Sequence, residues 1–285
     1  MIVQAPGDAE RAITAHECLI ALHARRSHPV IRDWREAHPS DPLIVVLTGT
    51  DLYRDLPHSA EVRDSLDLAD RLIVLQEDGV HHLPAQHRDK ARVVYQSSRF
   101  LVRAGKAAGR LNCILVAHLR PEKDPLTVLR AWRHLAPEAA ISLKIVGDSL
   151  EPALARSVRE AMAGDPRIRW LGAQPHPRTR QLIKRAHLLL MPSLMEGGAN
   201  VIAEAVTAGT PVLGSRISGN VGMLGRGYAG YFPVGDAEAL AALLSRCFQD
   251  PSFYAGLWRS CRARRSHFHP RRERSSLLAV LAELL

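Results

Sequence analysis

With 285 residues, 46% of them hydrophobic and 24% charged, the chain has enough material for two domains and the composition of a soluble globular protein. A formal charge of +9 favours anionic partners such as nucleotides, phosphates or a lipid surface, while only 5% aromatic residues, without a stacking pattern, argue against nucleic acid. No apolar run is long enough to span a bilayer, and the opening MIVQAPGDAER lacks a signal peptide's basic start and apolar core, so a cytoplasmic location is expected.

Short apolar runs alternate with helical stretches along the chain. Residues 17–24, 43–51, 71–76 and 92–97 read as buried strands, with helix-rich connections at 27–39, 59–70 and 79–90. The series restarts after the polar, Gly-containing stretch 98–112, with strands expected at 113–119, 141–148, 168–174, 188–193 and 211–216. This alternation predicts an α/β chain with two facing, doubly wound parallel-sheet domains and a reaction centre in the cleft between them. The expected divisions are 1–105, an acceptor-side domain; 106–268, a nucleotide-sugar domain; and 269–285, a helix packing back on the body. Residues 1–14 show no clear strand-helix pattern, so the first domain reads as shortened at its start. Four scattered cysteines, Cys18, Cys113, Cys247 and Cys261, form no CxxC pair and read as reduced thiols. Seven arginines in WRSCRARRSHFHPRRERS read as a solvated helical face and a basic turn.

The stretch MEGGANVIAEAVTAGTPV, residues 195–212, carries most of the chemistry. It predicts a tight loop, then a helix that stops at Gly209 ahead of a proline. A carboxylate only accepts hydrogen bonds, and its two oxygens suit the neighbouring 2′ and 3′ hydroxyls of ribose; Glu204, inside the helix, is so placed. Amides around Gly197, Gly198, Ala199 and Asn200 lie at the helix start, where free N–H groups attract phosphate. Glu196 would reach hydroxyls on whatever the phosphates carry. Glutamates at this spacing are also common on solvent faces, so the context decides. VAHLRPEKDPLTVLRAW, residues 116–132, brings His118, Arg120 and Lys123 to a strand's carboxyl end and opens a helix at Asp124. Cations there can neutralise a diphosphate leaving group. IVGD, with Gly147 and Asp148, ends a strand on the same edge. No cluster has metal-ligand spacing, and neither metal nor cofactor is expected.

In the first half, HARRSHP puts His23, Arg25 and Arg26 beyond one strand, and TGTDLYRD puts Thr50, Asp51 and Arg54 beyond the next. Guanidinium forks and helix-start amides suit a small oxyanion acceptor. A solvated turn is the plainer reading of Arg25 and Arg26.

VAHLRPEK, LKIVGD, RWLGAQ and LLLMPSLMEGGANVIAEAVTAGTPVLGSRISG resemble, in order and spacing, the second domain of GT-B type glycosyltransferases of family 4, whose hallmark is a Glu-x7-Glu pair. The resemblance implies retaining transfer from a UDP-sugar without bound metal, with Lys123 on the diphosphate, Glu204 on the ribose and Glu196 on the sugar. Ala117-His118 stands where that family usually has Gly-Arg, and Arg120 is a second candidate for the cation. LIALHARRS, PLIVVLTGTDLYRDLP, ADRLIVLQ and VVYQS are similar to the selenosugar synthase branch of selenoneine biosynthesis. That branch implies UDP-N-acetylglucosamine and selenophosphate as substrates, a C–Se bond in the product, and no stable membrane binding. An ordinary family 4 enzyme with an alcohol or lipid acceptor, and an inactive nucleotide-binding homologue, are the alternatives.

Overall fold

Aliphatic runs too short for helices and buried on both sides form two parallel sheets in a computed structural model that describes Cys18–Leu284. The expectation of a shortened start concerns residues 1–14 and lies outside the described residues. The strands are β1 (Leu19–Leu22), β2 (Leu43–Leu47), β3 (Arg71–Val74) and β4 (Ala91–Val93), then β5 (Leu111–Val116), β6 (Ile141–Val146), β7 (Ile168–Trp170), β8 (Leu188–Met191), β9 (Val212–Ser215) and β10 (Tyr231–Phe232). Between and after them come helices α1 (His28–Ala37), α2 (Ala60–Leu68), α3 (Ala85–Arg88), α4 (Pro125–Trp132), α5 (Pro152–Gly164), α6 (His176–Arg185), α7 (Asn200–Ala208), α8 (Ser218–Leu224), α9 (Ala237–Gln249), α10 (Pro251–Arg264) and α11 (Pro270–Ala282).

The chain divides into two compact units. Of the described residues, the first holds those up to 96, with 196–198 and those from 270 on, and the second holds 97–195 and 199–269. In the first unit the sheet runs β1-β2-β3-β4, all parallel. Alternate residues serve its two faces. Leu43, Val45, Leu72 and Val74 pack with Ile31 and Trp34 of α1 and Val62 and Leu66 of α2. On the other face Ile44, Ile73 and Val94 pack against Val280 of α11, with Leu277 and Leu281 beside it.

The second sheet is also parallel, in the order β10-β9-β8-β5-β6-β7. All four residues of β8 are buried, as a central strand of a covered sheet requires. From β5 the chain winds outward through β6 and β7, then returns to place β8 on the other side of β5. The sheet therefore reverses direction between β5 and β8.

Several expected boundaries move. The strand expected over 43–51 ends at Leu47, and Asp51–Asp55 form a single π-helical turn closed by the Leu56 amide on the Asp51 carbonyl. The strand expected from 113 begins at Leu111, inside the polar stretch, and β10 had no separate expectation. The arginine-rich segment is more than a solvated face. Arg264 donates to the Gly222 and Met223 carbonyls in the last turn of α8. Arg265 donates to Thr207 in the last turn of α7, at 2.9 Å, and to Leu101. Carbonyls left unpaired at helix ends draw cations, which is why these two side chains turn inward. All four cysteines are free thiols, and Cys113, Cys247 and Cys261 are buried.

Candidate functional site

In an open parallel sheet, two loops leave a crevice where the strand order reverses, because successive connections diverge to opposite sides. In the second unit that point lies beyond the carboxyl ends of β5 and β8. The loop after β5 carries His118, Arg120 and Lys123, and the loop after β8 leads toward α7. Their closeness is fixed by the backbone: the Leu194 amide donates to the Glu122 carbonyl at 2.9 Å. Asp124 caps α4, accepting from the Thr127 amide at 3.2 Å, in a left-handed conformation (φ 40°) that turns the chain sharply after Lys123. Lys123 is half-buried, and Arg120 is exposed with Glu122 at 4.0 Å.

The loop after β6 joins this edge. The Asp148 amide donates to His118 Nδ1 at 3.1 Å, and the Leu119 amide to the Asp148 carbonyl at 2.8 Å. With Nδ1 accepting, the proton of neutral His118 sits on Nε2, which is left as a donor on an exposed ring. Gly147 makes the approach possible: with φ 141°, a side chain there would run into the Ala117 carbonyl. The ends of β5 and β6, with His118, Gly147 and Asp148, are thus one stitched surface.

Helix α7 begins at Asn200, which is exposed, after the buried Ala199, and ends on Gly209 in a left-handed conformation (φ 76°). Glu204 lies one turn in. Its Oε1 accepts a hydrogen bond from His176 Nε2 at 2.6 Å; the two side chains are 9% and 68% exposed. Sequence reasoning did not single out His176. It sits 28 positions before Glu204, and only the packing of α6 beside α7 joins them.

Glu196, Gly197 and Gly198 group with the first unit, apart from Ala199, Asn200 and Glu204. Glu196 is buried, and a side chain on Gly197 would strike the backbone of Thr48 and Gly49. The remaining first-unit residues are mostly engaged with one another. Asp51 is fully buried: Oδ1 accepts from the Thr48 amide and hydroxyl at 2.7 and 2.8 Å and from the Leu52 amide at 3.1 Å, and Oδ2 accepts from the Ala24 amide at 2.9 Å. This ties the loops after β1 and β2. His23, buried with φ 72°, accepts from the Arg26 amide on Nδ1 and meets the Thr50 hydroxyl at 2.9 Å through Nε2. Arg25 faces Asp55 at 3.7 Å and Glu61 at 3.5 Å, and Arg54 faces Asp55 at 3.1 Å. Arg26 is exposed. Among the described residues no cluster of three His, Cys, Asp or Glu side chains could hold a metal ion, and no helix is long and apolar enough to cross a membrane.

Comparison with known proteins adds a family. The family model described as glycosyl transferases group 1 matches residues 71–262, which take in the reversed sheet and all of its loops. The chain belongs to the group 1 glycosyl transferases. Among members with names, the chain is 28% identical over 176 residues to the amylovoran biosynthesis glycosyltransferase AmsK of Erwinia amylovora, covering 58% of this chain and 43% of that one. It is 26% identical over 145 residues to the N-acetyl-alpha-D-glucosaminyl L-malate synthase of Bacillus anthracis, covering 50% and 38%. The chain thus covers less than half the length of these two relatives. The crystal structure of Anabaena Alr3699/HepE in complex with UDP superposes with a TM-score of 0.79 over 97% of this chain and 80% of that one, at 17% identity. That likeness is one of fold: two parallel-sheet, Rossmann-like units of GT-B type.

Proposed function

We propose that this group 1 glycosyl transferase takes its sugar from a UDP-sugar held in the second unit. The carrying observation is the reversal point between β5 and β8, where His118, Arg120 and Lys123 stand on one loop and the start of α7, with Glu204, follows the other. In this reading Lys123, with Arg120 and the Nε2–H of His118, takes up the charge that grows on the diphosphate as the glycosidic bond breaks. Amides at Ala199 and Asn200 add the positive end of α7, and Glu204 accepts from the ribose hydroxyls. Gly147 and Asp148 keep the crevice floor in place. The complex of Anabaena Alr3699/HepE with UDP supports the choice of nucleotide.

For the substrates in full we propose UDP-N-acetylglucosamine and selenophosphate. Selenium of the anion would form a bond to C1 as the bond from C1 to UDP oxygen breaks; water would then cleave Se–P, leaving the selenosugar and orthophosphate. Support comes from the first-half segments that resemble the selenosugar synthase branch and from the cations Arg25, Arg26 and Arg54. The second reading, an alcohol acceptor, is favoured by one observation: Arg25 and Arg54 already face Asp55 and Glu61, so an incoming anion must compete for them.

Calorimetry tests the donor. Lys123→Ala and Glu204→Ala should each weaken UDP binding by at least about tenfold, or about 1.4 kcal/mol, without added metal. Unchanged affinity in both rejects this pocket. Mass spectrometry tests the acceptor: selenophosphate with UDP-N-acetylglucosamine should release UDP and yield a selenium-bearing hexosamine. UDP release with simple alcohols and no C–Se product establishes the second reading.

A further inference from the structure

We infer that His176 is a positioning residue for Glu204, and through it the reason the site can tell ribose from a sugar without hydroxyls. The inference rests on the donor reading above.

Glu204 is a carboxylate on a helix whose neighbours Ile202, Ala203, Ala205 and Val206 are all buried. A carboxylate in such a wall costs free energy unless a donor meets it, and a free one would swing toward water. His176 supplies the donor. Its Nε2 lies 2.6 Å from Oε1, a short bond, and no other hydrogen bond reaches the Glu204 side chain from the described residues. One oxygen is therefore held and the other, Oε2, is left to accept. His176 opens α6 with Pro177 directly behind it, so the backbone that carries the imidazole is itself restrained. The ring is mostly exposed, which argues against a packing role: little of it is buried to stabilise the fold. Among the described residues the ring's one hydrogen-bonded partner is Glu204.

A held carboxylate keeps its open oxygen in one place, so less order has to be imposed when a nucleotide arrives. The loss of His176 should then be felt only by ligands whose hydroxyls use Glu204.

The test compares UDP with 2′,3′-dideoxy-UDP by calorimetry on the full chain. Wild type should prefer UDP by about tenfold or more, the ratio expected for hydrogen bonds to a charged group. His176→Phe, which keeps a ring but no donor, should cut that preference at least about threefold and leave dideoxy-UDP affinity unchanged. His176→Gln, which restores an N–H of similar reach, should return the preference toward wild type. A preference unchanged in His176→Phe, while Glu204→Ala loses it, overturns the inference and leaves the donor reading standing. Equal losses for both nucleotides overturn it too, since they mark a purely structural effect. If wild type does not distinguish the two nucleotides, the ribose role of Glu204 fails and the inference with it.

Discussion

His187 uses both ring nitrogens: Nε2 donates to the Ala107 carbonyl at 3.0 Å and Nδ1 accepts from the Asn112 amide at 3.1 Å. Only the neutral ring can do both, and burial pushes its pKa below the ordinary histidine value. The unfolded chain, with a histidine pKa near ~6.5, takes up this proton first as the solution is acidified. Stability should therefore fall as pH drops below about 6.5, and level off once the folded ring is protonated as well. Thermal melts from pH 7.5 to 5.5 should show a steeper loss for wild type than for His187→Gln; identical slopes would assign the loss to other groups. Lys106 anchors the same stretch by donating to the carbonyls of Lys184 and Ala186, and burial, with Arg103 and Lys184 nearby, brings its pKa down to about 8. Neither role was legible in the sequence. The stretch 98–112 reads as a polar connection because the partners it meets, the Ala186 carbonyl and the His187 ring, lie 80 positions away.

Elements meet at the site through glycine and loop length more than through side-chain chemistry. The chain leaves β6 at Gly147 with φ 141°, crosses directly against Ala117, and donates the Gly147 amide to the Gly172 carbonyl at 2.9 Å. Gly147→Ala would put a methyl group into the Ala117 carbonyl and force a conformation open to glycine alone. It should destabilise the second unit by at least about 2 kcal/mol in urea titration and weaken UDP binding, because the His118 loop must shift. Full stability in this variant would mean the two loops are less tightly joined than they stand here. Helix α7 was legible nearly to the residue, its stop at Gly209 included, since capping chemistry is local. The end of β2 was not. TGT continues an apolar run on paper, but Asp51 collects donors from Thr48, Leu52 and Ala24 and bends the chain into a turn.

At the scale of the molecule the chain leaves the first unit after residue 96 and returns to it at residue 270. Its last helix covers one face of the first sheet, where Val280 meets Ile44, Ile73 and Val94. Glu283 pins the end: Arg71 donates to it at 2.8 Å and Arg92 at 2.7 Å. Hydrogen bonding from Arg92 first, and Arg71 second, brings its pKa down to about 2 from a reference of 4.5. This carboxylate's contribution is present above pH 4.5 and is lost as pH falls through about 2. The melting difference between wild type and Glu283→Gln should accordingly shrink across that window; a constant difference would deny the clasp its charge. Removing residues 270–285 should do more. It bares a sheet face of aliphatic side chains, each worth about 1.5–3 kcal/mol when buried. Two-phase unfolding with a lowered first transition, or aggregation, is the expected result in calorimetry, and an unaltered trace would contradict the packing.

By itself the sequence determined the alternation of strand and helix, the two parallel sheets, the helix that carries Glu204 and the cation-rich loop that carries Lys123. All of these follow from periodicity, capping residues and glycine, which act over a few positions. Only the tertiary structure decided that β8 lies beside β5, and so that the loop after one meets the loop after the other across 71 residues, from Glu122 to Leu194. It also decided which polar residues already had partners: Asp51 held by three backbone amides, Arg25 and Arg54 by carboxylates, and one oxygen of Glu204 by His176. Charge and spacing identify a residue that can bind. Whether another side chain has reached it first depends on how distant segments pack, and no local pattern encodes that.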